Sequence, residues 1–416
     1  MATALKEDDA QAHVHGVCFK TGPPARVGIE LEWIVHDGAD ARRVVAPERL
    51  DEALAPLEAK GLPFGSRLTR EPGGQVELSS PPADTLAGCA EDLRADMVAL
   101  EQALAASGLV LAGHGLEPYQ NPPRIVDHPR YRAMEAYFDR AGSWGRMMMR
   151  GTASVQVNLD AGDEGSGPQG YRSRWELAHR LGPVLVAAFA NSPLWQGKPT
   201  GWRSTRQLVW ARMDPGRTRP PDSLPGSDGD PRAAWACYAL DAPLLCLRGA
   251  TADGWNAPEG LTFRSWLRGA PGVRPPTLED LDYHLTTLFP PVRPRGWLEL
   301  RMIDAQRGGD WIVPATLAAT LLDDPVAAEA AWVATEPLCA AGATVPADAI
   351  WTRAARLGPA DPVLGKAVRA CFGATEQALA DRDAPGPLRA AVANFTRRYA
   401  ERGRCPADDL LERSCR

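Results

Sequence analysis

Five short segments of the chain alternate apolar and polar residues with a period of two: 27–35, 74–78, 109–112, 152–159 and 297–303. Each reads as a half-buried strand. Leu86, Leu93, Met97, Leu100 and Leu104 recur at helical spacing instead, which predicts an amphipathic helix over 84–107 with Asp84 as its N-cap. Segments 172–190, 232–247 and 278–289 also read as helical. From Trp311 onward the chain is Ala-rich and helical in pattern, with no strand signal. The stretch 214–232, rich in Pro, Gly, Ser and Asp, reads as a loop, either a mobile lid or a surface excursion. Together these elements predict an α+β fold, with an antiparallel sheet backed by helices and a helical C-terminal part.

The polar positions inside the strands are unusual. In VGIELEW, Glu30 and Glu32 are two apart and share one face, among apolar or small neighbours. In REPGGQVELSS, Gln75 and Glu77 share a face, and a Pro-Gly-Gly turn is placed to swing Glu71 towards the same region. TASVQVNLD carries Gln156 and Asn158, and WLELRMID carries Glu299 and Arg301. An ordinary solvated sheet face is one reading of this pattern. Such a face usually mixes in Lys, Thr and Ser, whereas here Glu, Gln, Asn and a single Arg recur without Lys. Glycines also flank the first two strands, as expected where backbone approaches a ligand closely.

If these strands are neighbours, at least four carboxylates converge. Like charges at close range raise one another's pKa, so such a cluster needs cations to stay ionised. Oxygen ligands without His or Cys suit Mg²⁺, which carboxylates typically hold together with substrate phosphates. No G-x-x-x-x-G-K-[ST] and no strand-coupled G-x-G-x-x-G occurs, and GKPTG at 197–201 is a weak match that reads as a surface turn. Nucleotide binding would therefore run through metals and arginines. There is no nucleophile elbow and no H-E-x-x-H.

Composition narrows the partners. With 416 residues and 44% apolar content the chain can bury a sizeable core. A net charge of −6 gives no reason to expect nucleic acid or an anionic membrane surface as a partner. The acidic N-terminus lacks an apolar core, so a cytoplasmic protein is expected, and no apolar stretch approaches a membrane span. The eight cysteines show no C-x-x-C pair or metal-ligand spacing.

The segments GIELEW, EPGGQVELSS, MMMRGTASVQVNLD, AFANSPLWQGKPTGW, RSTRQLVW, TFRSWL, HLTTLFPPVR and WLELRMID, in this order, resemble the glutamate–cysteine ligases of the plant and proteobacterial branch. That branch belongs to the glutamine-synthetase-like carboxylate–amine ligases. The compact, Ala-rich C-terminal part is most similar to actinobacterial members that feed ergothioneine synthesis. The resemblance implies an antiparallel sheet forming a funnel, with two or more Mg²⁺ ions between ATP phosphates and strand glutamates. On this reading residues 1–310 form the catalytic part and 311–416 a helical part packed on the same domain. Carried over, Glu30, Glu32, Glu71, Glu77 and Glu299 are metal ligands, and Arg301, Glu30 and Glu299 take part in catalysis. Arg150, Gln156, Asn158 and Arg206 bind substrate or ATP. The implied partners are L-glutamate, L-cysteine and ATP, acting on a monomer or homodimer.

Two departures from the plant pattern stand out. Leu31 replaces a His between the first two glutamates, on the opposite face, and His114 stands where the plant segment is usually apolar. Met147, Met148 and Met149 are readable as core or as contacts to a substrate sulfur. Cys89 matches a plant cysteine of a redox bridge, but lies on the predicted helix with no basic neighbour at turn spacing. Other readings of the carboxylates are a ligase for another amine, a non-catalytic ATP or glutamate sensor, and a metal-dependent hydrolase.

Overall fold

A computed structural model describes residues 5–221, 229–251, 254–341 and 343–414. Helix α1 (Glu7–Cys18) precedes the central strand β1 (Val27–Asp37), followed by α2 (Pro47–Lys60), β2 (Arg67–Arg70), β3 (Val76–Ser79), α3 (Leu86–Ala106) and β4 (Leu109–Ala112). Helices α4 (Pro129–Phe138) and α5 (Trp144–Gly151) lead into β5 (Ser154–Asp160) and the long helix α6 (Tyr171–Phe189). A small hairpin, β6 (Leu194–Trp195) and β7 (Lys198–Pro199), is followed by α7 (Thr205–Met213), α8 (Pro215–Thr218) and α9 (Pro231–Asp241). A second hairpin, β8 (Cys246–Thr251) and β9 (Gly254–Asn256), leads through α10 (Phe263–Leu267) and α11 (Leu278–Leu285) to β10 (Val292–Pro294) and β11 (Trp297–Asp304). Beyond these come only helices among the described residues: α12 (Ile312–Asp323), α13 (Pro325–Thr335), α14 (Asp348–Leu357), α15 (Pro362–Asp381), α16 (Gly386–Arg398) and α17 (Pro406–Ser414), with short 3-10 turns between some of them.

The main sheet is antiparallel in the order β10-β11-β5-β1-β3-β2, with β4 also pairing to β1. The fold is α+β. Its register follows from the alternation: Ile29, Leu31, Val155, Val157, Leu159, Leu298 and Leu300 all point into one core and are essentially unexposed. Fully burying side chains of this size stabilises by roughly 1.5–3 kcal/mol each, so a one-residue slip that turned them to the cleft would be expensive. Helices α3, α6 and α12 cover that core face. Helix α6 is buried along almost its whole length. At Gly182 a Cβ would come within 1.9 Å of the Trp351 ring, so α14 packs closely only because this position is glycine. The opposite face, carrying the polar pairs, is left to the site.

Several elements differ from their sequence expectation. Helix α3 is capped by Thr85, whose Oγ accepts from Gly88 N at 3.1 Å, one residue later than Asp84. The helix expected over 232–247 stops at Asp241, because Pro243 disfavours helical geometry at Ala242, which is extended with ψ 133°. Residues from Cys246 then form a hairpin instead. Helix α11 ends at Leu285, before the Pro290–Pro291 pair. Within 214–232, Asp214 caps the short α8 and Asp230 caps α9. Residues 222–228, the middle of the expected loop, lie outside the described residues. No helix among the described residues is long and apolar enough to cross a membrane.

Candidate active site

The pairing of β1 with β3 and β5 brings the polar residues of three strands together: Glu32 is opposite Glu77, and Glu30 is opposite Gln156. Asn158 lies opposite Glu299 on β11. Side chains then connect diagonally across the strands. Gln156 Nε2 donates to Glu32 Oε1 at 2.9 Å, and Asn158 Nδ2 donates to Glu30 Oε1 at 2.9 Å. Arg301 Nη1 donates to Gln156 Oε1 at 2.6 Å, so the amide links a cation to a carboxylate.

Glu71 is brought in by the Pro-Gly-Gly turn. Its N–H donates to Gln75 O and its carbonyl accepts from Gly74 N, both at 2.9 Å. The turn is bound to glycine at Gly73, where a Cβ would overlap the Arg150 carbonyl oxygen at 2.0 Å. Gln75, buried, closes the turn by accepting from Gly73 N at 3.0 Å and donating to Thr152 O at 2.8 Å.

Glu30, Glu32, Glu71 and Glu77 all line one cavity of about 260 Å³ on this face, with Gln156, Arg206 and Arg301. Their electrostatics are those of crowded, poorly solvated anions. Burial, then Glu299 and Glu77, push Glu30 up to about 7. Burial, then Glu32 and Glu77, push Glu71 up to about 8. Burial also raises Glu32 and Glu77, against the pull of Arg206 and Arg301 on the former and of Ser79 and Thr69 on the latter. The protein alone thus leaves this cluster short of positive charge.

Arginines line the other wall. Arg206 is buried, lies over the Trp210 ring at 4.6 Å, and donates through Nη2 to Arg301 O at 2.8 Å. Its Nε and Nη1 are buried with no hydrogen-bond partner, although the Asp304 carboxylate lies 3.8 Å from Nη1. A guanidinium on the cavity wall fits a carboxylate or phosphate of a bound molecule.

Three expected residues do not line this cavity. Glu299 is fully buried beneath the cavity wall, where Arg293, Arg301 and Arg295 approach it at 2.5, 3.2 and 3.5 Å. Burial alone would raise its pKa, but the three cations outweigh that and hold it down to about 2. Its oxygens are therefore committed to guanidinium groups rather than facing the cavity. Arg150 is paired with Glu135 at 2.6 Å and lines neighbouring depressions, not the carboxylate cavity. Its carbonyl, against Gly73, is what supports the Glu71 turn. Asn158 reaches the site indirectly, through Glu30 and through Trp297 Nε1, which donates to it at 2.9 Å.

Not singled out from sequence were Arg130 and Tyr131 of α4, Thr286, Phe289, Arg293 of β10 and Arg295 just after it, all of which line the cavity. Arg293 lies within the quoted HLTTLFPPVR motif, the one signal that pointed to it. Met148 and Met149 also reach the cavity wall, and Met149 is at the same time core. Leu31 is buried on the far face, as its parity requires. His114 is buried and held down to about 3, chiefly by burial, which makes it a neutral packing residue outside the cavity.

The residues fit Mg²⁺ by donor chemistry. No three His, Cys, Asp or Glu side chains among the described residues enclose a metal by themselves.

The antiparallel sheet thus presents glutamates and arginines together on one face, around a single cavity. A glutamate–cysteine ligase from Francisella tularensis, solved in complex with AMP, shares the fold, with a TM-score of 0.52 over 94% of this chain and 85% of that one at 12% identity. The chain belongs to the glutamate–cysteine ligase family 2, whose model matches residues 26–416. Among its relatives, glutamate–cysteine ligase EgtA of Mycobacterium tuberculosis is 41% identical over 97% of this chain and 89% of its own length. The EgtA of Mycolicibacterium smegmatis is 40% identical over 98% and 91%.

Proposed function

We propose that this protein is an ATP-dependent glutamate–cysteine ligase that forms γ-glutamylcysteine, ADP and phosphate. The observation that carries the reading is the convergence of Glu30, Glu32, Glu71 and Glu77 on a cavity also walled by Arg206 and Arg301. A carboxylate is a poor electrophile, so the γ-carboxylate of glutamate first attacks the γ-phosphorus of ATP and ADP leaves. The amine of cysteine then attacks the acyl carbon, phosphate departs, and the amide remains.

Phosphoryl transfer asks the protein for alignment and for charge to meet the spreading negative charge. Arg301 supplies that charge, held between Gln156 and Glu299 so that its guanidinium is already in place. Arg206, on the wall of the same cavity, would meet a substrate carboxylate with its guanidinium. Glu299 acts in this reading by orienting Arg293, Arg295 and Arg301. Glu30, Glu32, Glu71 and Glu77 would hold two or more Mg²⁺ ions. When bound, these ions neutralise the phosphates and polarise the transferring group. Use of the product in ergothioneine synthesis belongs to the same proposal.

The test is interception of the acyl phosphate. With ATP, Mg²⁺, glutamate and hydroxylamine, and no cysteine, γ-glutamyl hydroxamate and ADP should accumulate. Formation of AMP and pyrophosphate would overturn the scheme, because it indicates adenylation.

A further inference from the structure

A second cavity of about 260 Å³ lies outside the carboxylate cavity, between α7, the C-terminal helix α14 and the chain around Pro220 and Pro291. Two side chains, Trp210 and Arg301, line both cavities. The aromatic wall consists of Trp202, Trp210 and Trp351, and the Trp351 indole N–H is buried without a partner.

The charged lining is Arg212, Arg219, Arg301 and Asp348. Arg219 pairs with Asp348 at 3.0 Å, and Arg301 is committed to Glu299 and Gln156. Arg212, exposed in the last turn of α7, has no carboxylate partner among the described residues. The cavity therefore offers flat apolar walls and one uncommitted guanidinium. It is just below the roughly 300–1,000 Å³ common for small-molecule sites, which suits a one- or two-ring occupant.

We propose that this cavity is a second ligand site, taking a small planar aromatic carboxylate whose ring packs on the tryptophans and whose carboxylate meets Arg212. Aromatic rings gain from offset or edge packing beyond area burial, and a guanidinium matches a carboxylate in a bidentate fork. The site communicates with the other cavity through Trp210. On the proposed reading of Arg206 as a substrate-carboxylate anchor, the ring beneath that guanidinium is a wall of the second site. Occupancy shifts the platform on which Arg206 rests, so it raises the KM for glutamate more than it changes kcat.

The probe is indole-3-acetate, titrated calorimetrically into the protein without ATP, Mg²⁺ or amino acids. The expected Kd lies below about 1 mM. Arg212→Gln and Trp351→Leu should each weaken binding about tenfold or more, as loss of a charge-assisted bond or of an aromatic wall does. Trp351 also packs on Gly182, so Trp351→Leu carries a folding risk, whereas Arg212 is exposed and its variant keeps the test sound. Without the probe, Arg212→Gln should retain kcat/KM within about threefold. No binding to the wild type, or binding that Arg212→Gln leaves unchanged, overturns the site. Binding with no rise in the KM for glutamate overturns the coupling. Because the titration involves no turnover, its failure is distinguishable from failure of the ligase reading.

Discussion

Arg293 grips Glu299 through two guanidinium nitrogens, Nε to Oε2 at 2.5 Å and Nη2 to Oε1 at 3.0 Å, with both side chains buried. Arg295 and Arg301 converge on the same carboxylate. One anion thus balances several cations beneath the site, and this fixes the sign of what its removal does.

Glu299→Gln keeps the shape but leaves buried arginines without their counter-charge. The expected loss is on the order of 3 kcal/mol of stability, the range seen when one partner of a buried pair is removed. Chemical denaturation of wild type and variant measures it. An unchanged midpoint would mean that the arginines are neutralised elsewhere.

Glu30→Gln should behave in the opposite way. It relieves repulsion from Glu299 and Glu77 and removes a poorly solvated charge, so the thermal midpoint of the metal-free protein stays level or rises. Ligase turnover should nevertheless fall on the order of 10²-fold or more, because electrostatic alignment is lost. Near-normal turnover at saturating Mg²⁺ would remove Glu30 from the site.

The same repulsion predicts a pH dependence. Glu30 at about 7 and Glu71 at about 8 bind protons more tightly in the folded chain than at their ordinary value of 4.5. The stability they contribute is fully present below pH 4.5 and is lost as pH rises through 7 to 8. Buried His114, His179 and His284, held down to about 3, 4 and 4, act in the opposite sense up to their ordinary value of 6.5. The fall in the EDTA midpoint should therefore show between about pH 7 and 8, and Glu71→Gln should flatten that slope. A midpoint that rises across this window would contradict the burial of the pair.

What the sequence made legible was what periodicity encodes. The two-residue repeat in VGIELEW and VQVNLD put Glu30, Glu32, Gln156 and Asn158 on one face, and the sheet pairs those strands directly. Glu71 was readable because Pro-Gly-Gly restricts where its turn can go. The arginine wall was less visible, since β10 has three residues and no period can be read from so short a strand. Arg130 was hidden for another reason: it enters from the start of α4, and only tertiary packing determines which helix meets the sheet. The cap at Thr85 and the hairpin at Cys246 turned on single local competitions, a hydroxyl against a carboxylate and a proline against helical continuation.

Cys89 is predicted to be silent in regulation. It is buried, within 3.3 Å of Ser80 Oγ, and burial raises its pKa, so little thiolate is available. All seven described cysteines are free thiols. Activity should be the same with and without excess dithiothreitol, and Cys89→Ser should keep kcat/KM within about threefold. A reversible oxidative loss that Cys89→Ser abolishes would establish a switch.

Whether the chain joins glutamate to cysteine is decided by identifying the product. The protein is incubated with ATP, Mg²⁺, L-glutamate and L-cysteine, and the products are identified by mass spectrometry with fragmentation to place the amide. γ-Glutamylcysteine should form in equal amount with ADP and phosphate, and none should form when ATP is omitted. ADP release with no γ-glutamyl product, or a faster reaction with a different amine than with cysteine, would contradict it.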